Sequence, residues 1–307
     1  MEKVITMEKN EVPFEEYLAP GHRACTGCGE MLAVRLIAKT LGDDVIIANA
    51  TGCVEIVSSP LPTTSWRVPW IHTLFENTSA VASGIEAGMK AMTRKGRYSR
   101  KTKVVAMGGD GATADIGIQS LSGALERMHE FIYICFDNEA YMNTGVQRSS
   151  ATPFGASTTT SPAGKQSIGQ MTWKKNLPAI VAAHDIPYVA TACPSYPLDM
   201  INKVEKAMKV KGPAYIHVLS VCPTGWHSQS NATINLGRLA ALTGIFPLYE
   251  IEQGRYKLNV DPAQLSPIEE YTKLQGRFRH LPPEVLASIQ ERVTDEYVKL
   301  KKKAAEV

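Results

Sequence analysis

The order of apolar segments predicts a doubly wound α/β domain with a mostly parallel sheet. Two observations carry this. Short β-branched runs alternate with stretches of helical periodicity over residues 30–221, and chemically distinctive residues stand where the strands should end. The first predicted helix, 30–41, places Met31, Val34, Leu36, Ile37 and Leu41 at mostly helical spacing and stops at Gly42. Residues 44–50 form the compact apolar run of a buried parallel strand. Pro60, Pro62 and Pro69 make 59–70 a loop, and the Ala- and Gly-rich 77–92 predicts a helix packed closely on a neighbour. Strand 103–107, helix 116–128 and strand 131–136 continue the alternation, followed by a Thr-, Ser-, Gly- and Pro-rich loop over 141–175. Helix 176–184, strand 188–192, helix 198–210 and strand 214–221 complete it, and there is no internal repeat. Beyond 235 the pattern predicts helices over 237–243 and 283–303 around a polar stretch with a hairpin. The expected division is an N-terminal arm (1–24), a cofactor-binding domain (25–235) and a helical C-terminal extension (236–307). In such a sheet, ligands collect beyond the carboxyl ends of the strands.

The bulk composition excludes several classes of function. The chain is 44% hydrophobic and 21% charged, as expected of a globular protein with a substantial core. A net charge of +3 without a basic stripe gives no basis for a nucleic-acid partner. Lys299–Lys303 end a helix, where cations meet the negative dipole end; a solvated tail or, second, a docking surface accounts for them. No apolar run approaches a membrane span, and Met1-Glu-Lys-Val lacks a signal-peptide core, so a cytoplasmic location is expected. Six cysteines in that setting point to metal or redox chemistry, not to a disulfide scaffold.

Gly108-Gly109-Asp110-Gly111 follows a strand and precedes a helix. Glycines let the backbone approach a phosphate, and a helix N-terminus favours an anion. Asp110 facing a phosphate requires a divalent cation in between. The next strand ends in Asp137-Asn138-Glu139, which puts Asn138 at the neighbouring strand end. Asp and Asn oxygens plus a backbone carbonyl are hard ligands suited to Mg²⁺. Gly-Asp-Gly alone is more simply a tight turn; the second element one strand away reverses that preference. The pair resembles the thiamine diphosphate signature.

Cys25-Thr26-Gly27-Cys28 opens a helix, and Cys53 follows the strand ending at Ala50. No strand precedes the Cys-x-x-Cys, which disfavours a thioredoxin-like pair, and no second nearby pair supports zinc. An iron–sulfur cluster tolerates distant third and fourth thiolates. Cys135, inside an apolar strand, reads as a core thiol. Cys193 and Cys222 both end strands and precede prolines, so local sequence leaves the fourth ligand open between them.

From about residue 19 to 252 the chain resembles the β subunits of pyruvate:ferredoxin oxidoreductases (pyruvate synthases), within the 2-oxoacid:ferredoxin oxidoreductases. The matching blocks are the run from Ala19 to Gly29, Asn49-Ala50-Thr51-Gly52-Cys53, the run from Thr64 to His72, Gly-Gly-Asp110-Gly, the run from Asp137 to Gly145, and the run from Ser149 to Gly155. The resemblance implies a thiamine diphosphate-binding fold and assigns a 4Fe-4S cluster to Cys25, Cys28, Cys53 and Cys222. It gives Mg²⁺ to Asp110, Asn138 and the carbonyl of Ala140, and sets Glu30, Gly52, Gly109, Gly111 and Asn143 against the cofactor. Asn143 is the residue expected to reach the substrate and act catalytically, and Glu30 the one expected to tie the cluster loop to the cofactor. Where the family often has a bulky aromatic after Gly-Asp-Gly, this chain has Ala112-Thr113-Ala114.

The implied reaction is CoA-dependent, reversible oxidative decarboxylation of pyruvate, with electrons passing through the cluster to ferredoxin. Oxalate, 2-oxoglutarate or a branched-chain 2-oxo acid is the alternative substrate, and a non-catalytic electron-transfer subunit the weaker reading. Only one doubly wound domain is present, so the carboxylate that activates the aminopyrimidine ring is expected on a partner. The resemblance implies α, γ and δ-type subunits. His22, His72, Trp66 and Trp70 receive no role, and His217, inside a strand, reads as a satisfied core residue.

Overall fold

The computed structural model describes residues 3–4, 11–60 and 63–306. Of the predicted segments, residues 1–2 and 5–10 of the arm and Leu61 and Pro62 of the Pro-rich loop lie outside the described residues. Parallel pairing builds the main sheet from β2 (Val45–Ala50), β3 (Trp70–Thr73), β4 (Lys103–Gly109), β5 (Phe131–Asp137), β6 (Tyr188–Ala192) and β7 (Ala214–Leu219). A hairpin of β8 (Tyr249–Glu252) and β9 (Arg255–Leu258) joins antiparallel at β6, giving the order β3-β2-β4-β5-β7-β6-β8-β9. Residues beyond 235 therefore supply two strands of this sheet as well as helices. A separate two-stranded ladder joins β1 (Lys3–Val4) to β10 (Val260–Asp261).

Both faces are covered, so the central strands are buried along their whole length and read as unbroken apolar runs. On one face lie α1 (Gly29–Leu41) and α6 (Pro197–Lys209), through Met31, Val34, Ile37, Met200 and Val204. The other face carries α3 (Thr78–Arg94), α4 (Ile118–Glu126) and α5 (Leu177–Ala182), through Ala82, Leu121, Leu125 and Val181. A third cluster joins α7 (Pro223–Trp226), α8 (Thr233–Leu242), α9 (Ile268–Thr272) and α10 (Pro283–Ala305) at one end. No helix is long and apolar enough to cross a membrane among the described residues.

Three local features differ from the sequence expectations. Trp70, placed in the loop, opens β3, a short edge strand directly after Pro69. A one-turn-and-a-half helix, α2 (Cys53–Ser58), follows β2, too short to show a period. The Ala/Gly-rich helix is present as α3, but it does not pack closely on its small-residue side. Ala80, Gly84, Ala87 and Gly88 are exposed, and a Cβ at either glycine would meet nothing within 4 Å. The described part of the arm lies along α1, where Glu16 accepts from Arg35 at 3.1 Å and meets Lys39 at 2.9 Å. The Arg35 hydrogen bond is the main reason that the Glu16 carboxyl falls to about 2.

One buried ion pair fastens α6 to the sheet. Lys203, 1% exposed, bonds Asp199 at 2.6 Å and the Thr191 carbonyl of β6 at 2.8 Å. Removing one partner strands a buried charge, whereas removing both does not. Lys203→Met is expected to cost about 3–5 kcal/mol in chemical denaturation, and Lys203→Met with Asp199→Leu to recover most of it.

Candidate active site

Parallel pairing brings the ends of β2, β4, β5 and β7 to one edge in consecutive order. Cys53, Asp110, Asn138 and Cys222 all lie just beyond those ends. Glu30, Gly52, Gly109, Asp110, Gly111, Asn138, Ala140 and Asn143, the residues expected at the cofactor, line one cleft together with Cys53, Phe75, Tyr141 and Met142.

The floor of the cleft holds two oxygens with no partner. Asp110 is buried; Ser149 donates its hydroxyl to Oδ2, and Oδ1 is left alone. Asn138 is also buried; its Nδ2 donates to Glu30 Oε2 at 2.9 Å, and its Oδ1 is left alone. Unsatisfied buried polar atoms cost about 1–3 kcal/mol each, so two on adjacent strand ends point to a missing partner. A hard cation fits this donor set. Burial, then the Asp137 charge, pushes the Asp110 carboxyl well above the carboxylate range, a direction that a bound cation reverses.

The turn carrying Asn138 is held from several sides. Burial alone would raise the Asp137 carboxyl, but Lys174 (2.5 Å) and then His217 (2.7 Å) hold it down at about 2. Glu139 adopts a left-handed φ of 69° and is fixed by Lys174 at 2.7 Å and by Arg277. Trp226 Nε1 donates to the Asn138 carbonyl at 2.8 Å, and Thr152 Oγ1 to that of Glu139 at 2.7 Å. On the neighbouring strand, Gly111 leads into a π-helical turn, Ala112–Ile116, where a simple helix start was expected at 116. Asp115 in that turn binds Ser150 of the long loop. A Cβ at Gly111 would stand 2.4 Å from the Tyr141 ring, whose hydroxyl donates to the Gly111 carbonyl. The wall beside Ala112 thus carries an aromatic ring supplied by the next strand's loop.

The cysteines are distributed between rim and core. Cys28 caps α1, its Sγ accepting from Met31 N–H at 3.4 Å; Cys222 caps α7, accepting from Gly225 N–H at 3.4 Å. Gly29 N–H bonds the Val221 carbonyl at 3.0 Å, holding the two caps side by side. Cys25 is exposed, while Cys28, Cys53 and Cys222 are half-buried. Burial pushes the Cys28 thiol up to about 12 and the Cys222 thiol to about 11. Cys53 rises further by burial, with Glu30 and the other three thiols adding to it, so the four share one neighbourhood. Cys193 and Cys135 are enclosed in the core, Cys193 among Leu219, Trp226 and Leu236. Among the described residues, no three His, Cys, Asp or Glu side chains come close enough to share a single metal ion.

Glu30 joins the two groups. It is buried against Asn138, its carboxyl is raised by burial to about 7, and its charge reaches Cys28, Cys53 and Cys222. Asn143 stands exposed at the cleft rim, and its neighbour Met142 packs so tightly on α7 that a Cβ at Gly225 would lie 1.9 Å from its Sδ. Ser149, Lys174, Arg277, Trp226 and Tyr141 were not singled out from sequence. Ser149 and Tyr141 carried a signal, their places in the Ser149–Gly155 and Asp137–Gly145 blocks. The 141–175 loop is no loose lid, since Ser149, Thr152 and Ala156 are fully enclosed. His217 is a satisfied core residue between Tyr215 and Asp137. Trp66, Trp70 and His72 stack in sequence, with centroids 6.3 Å apart, outside the cleft.

A fold with this edge and this paired Asp/Asn floor defines a thiamine diphosphate-binding domain, and the C-terminal TPP-binding domain of the thiamine pyrophosphate enzymes matches residues 50–218. Pyruvate synthase subunit PorB of Methanocaldococcus jannaschii is 57% identical, over 94% of this chain and 98% of its own length. PorB of Pyrococcus furiosus is 49% identical over 94% and 95%, and ketoisovalerate oxidoreductase subunit VorB of the same organism 46% over 95% of each. A solved 2-oxoglutarate:ferredoxin oxidoreductase from Magnetococcus marinus shares the fold, with a TM-score of 0.58 at 20% identity, over 96% of this chain and 94% of that one. The chain belongs to the family of pyruvate synthase β subunits, within the thiamine diphosphate-dependent 2-oxoacid:ferredoxin oxidoreductases.

Ser149 aims Asp110, so Ser149→Ala should weaken cation binding without unfolding the chain. A hydrogen bond to a charged group is worth about 1.5–3 kcal/mol. The cation concentration that half-restores cofactor binding should therefore rise roughly ten- to hundredfold.

Proposed function

We propose that this chain carries thiamine diphosphate, Mg²⁺ and a 4Fe-4S cluster. On this reading it catalyses, with partner subunits, the reversible CoA-dependent oxidative decarboxylation of pyruvate to acetyl-CoA and CO₂, with electrons to ferredoxin. The observation that carries the reading is the pair of unpartnered oxygens, Asp110 Oδ1 and Asn138 Oδ1, in a cleft lined by Cys53, whose thiol feels those of Cys25, Cys28 and Cys222. Asp110, Asn138 and the Ala140 carbonyl are the proposed Mg²⁺ ligands, and Gly109 and Gly111 leave room for phosphate. Bound there, thiamine diphosphate supplies the electron sink for decarboxylation of a 2-oxo acid. Asn143 positions the substrate at the rim.

Cys25, Cys28, Cys53 and Cys222 are the proposed cluster ligands. A cubane spreads its thiolates more widely than a single ion does, which agrees with four neighbouring thiols that do not close on one metal. Two of them already accept N–H groups, which favour the thiolate once iron displaces the proton. Pyruvate is preferred over a branched-chain substrate because identity to the pyruvate synthase relative reaches 57%, against 46% to the ketoisovalerate one. The partner subunits, of α, γ and δ type, supply the activating carboxylate. The exposed small-residue face of α3, with Ile71 and Leu74 exposed beside it, supports a chain docking next to the cleft.

Anaerobically purified protein should contain about four iron atoms and four sulfides per chain, the content of one such cluster. Stoichiometric zinc without sulfide would overturn the assignment. Cys222→Ser should lose the cluster's absorbance and Cys193→Ser should keep it. Asp110→Ala should lose bound thiamine diphosphate, since the phosphates are left without their cation. Asn143→Ala should retain the cofactor but turn over slowly; cofactor loss there would assign it to binding instead. Turnover of a panel of 2-oxo acids by the intact complex tests the substrate, with 2-oxoisovalerate outpacing pyruvate as the contrary result.

A further inference from the structure

The long C-terminal helix carries a row of charge directly beside its buried stripe of Ile289, Val293 and Tyr297. Arg292, Glu296, Lys299 and Lys303 recur every three or four residues along α10, so they share one face. That face borders Ile289, Val293, Tyr297 and Leu300, and all of these line one cavity of about 410 Å³, with the exposed Arg292, Lys299 and Lys303 at its mouth. A cavity of this volume is within the range of small-molecule sites. It shares no lining residue with the thiamine cleft.

Its walls are aromatic and its charge is unbalanced. Phe154 stacks on Trp173 with centroids 4.5 Å apart and planes 20° from parallel, and Tyr249 stacks on Tyr256 at 6.1 Å. Phe246 and Phe278 add further ring surface. Lys174, Lys175, Arg292, Lys299 and Lys303 line it against the carboxylates of Glu139 and Glu296 alone. Lys174 is committed to Asp137 and Glu139, while Arg292 and Lys299 share the single carboxylate of Glu296, at 2.9 and 3.4 Å. Arg292 stands 5.6 Å from the Trp173 ring centre and Lys303 5.2 Å from that of Tyr256. Flat rings with cations poised over them match a ligand that is itself planar, aromatic and anionic. An aliphatic carboxylate would leave the stacking surfaces unused, and inorganic phosphate would leave the apolar wall dry and unfilled.

We propose that this cavity is a second ligand site, for an anion of the nucleotide class. Its base stacks on the aromatic wall and its phosphates meet Arg292, Lys299 and Lys303. The experiment is calorimetric titration of the intact complex with ADP, with coenzyme A saturating so that the substrate's own adenosine site is filled. One ADP should bind per copy of this chain, at least tenfold more tightly than inorganic phosphate. Arg292→Glu with Lys303→Glu should weaken ADP binding by tenfold or more while turnover without ADP stays within twofold. Phe154→Ala should weaken it similarly, and the α10 pair, being on the surface, carries the test if that variant fails to fold. Absence of saturable binding, binding that survives the charge reversal, or affinity for phosphate equal to that for ADP would each overturn the proposal. So would protection of the cavity face of α10 from hydrogen exchange in the ligand-free complex, which would assign the cavity to a partner polypeptide.

Discussion

The site depends on the parallel pairing of β2, β4, β5 and β7 in that order across the sheet. Parallel strands need crossovers that return the chain to the same end, so every strand finishes on one edge. The residues following four adjacent strands are then forced within reach of one another, although Cys53 and Cys222 are separated by more than half the chain. Cys53 and Cys222 come from the two outer strands of this group, Asp110 and Asn138 from the inner two. Strand order thus places Cys53, Cys222 and the Asp/Asn floor, and the start of α1, held by the Gly29–Val221 hydrogen bond, adds Cys25 and Cys28.

Low dielectric makes that edge demanding. Asp110, Asp137, Glu139 and Glu30 are all buried within a few residues of one another in space or sequence. Lys174 and Arg277 neutralise Asp137 and Glu139, which secures the turn but leaves Asp110 with a hydroxyl and, among the described residues, no ion-pair partner. The fold therefore uses its own cations to hold the turn and leaves the Asp110 and Glu30 carboxylates without an ion-pair partner among the described residues. The same logic separates the cysteines. Cys135 and Cys193 are enclosed in the core, where burial raises both thiols, while Cys28 and Cys222 stand half-buried at helix starts whose N–H groups point at sulfur.

Two long segments complete what the strands begin. The 141–175 loop folds back so that Ser149 aims Asp110 and Lys174 braces Asp137. The chain after β7 sends Trp226 to the Asn138 carbonyl and Arg277 to Glu139. Both segments look like connections in sequence, yet both are built into the floor of the cleft. A substitution at Ser149, Lys174, Trp226 or Arg277 would be felt at the site through Asn138 or Asp110.

The sequence alone determined the layered α/β architecture, because buried parallel strands and half-buried helices leave different periods. It also marked Asp110 and Asn138, since a lone carboxylate and amide just past two strands have few other uses. What it did not determine is which groups meet. Cys193 and Cys222 are locally equivalent, each ending a strand before a proline; only the placement of β6 outside β7, under α8, encloses one and leaves the other at the rim. Ser149, Lys174 and Arg277 lie on irregular segments, where no period ties a residue to a place. β3 and α2 are too short to leave one. The hairpin's attachment to β6 and the cavity beneath α10 exist only once segments far apart in the chain are packed, because cross-strand pairing and enclosed space are properties of the assembled layers.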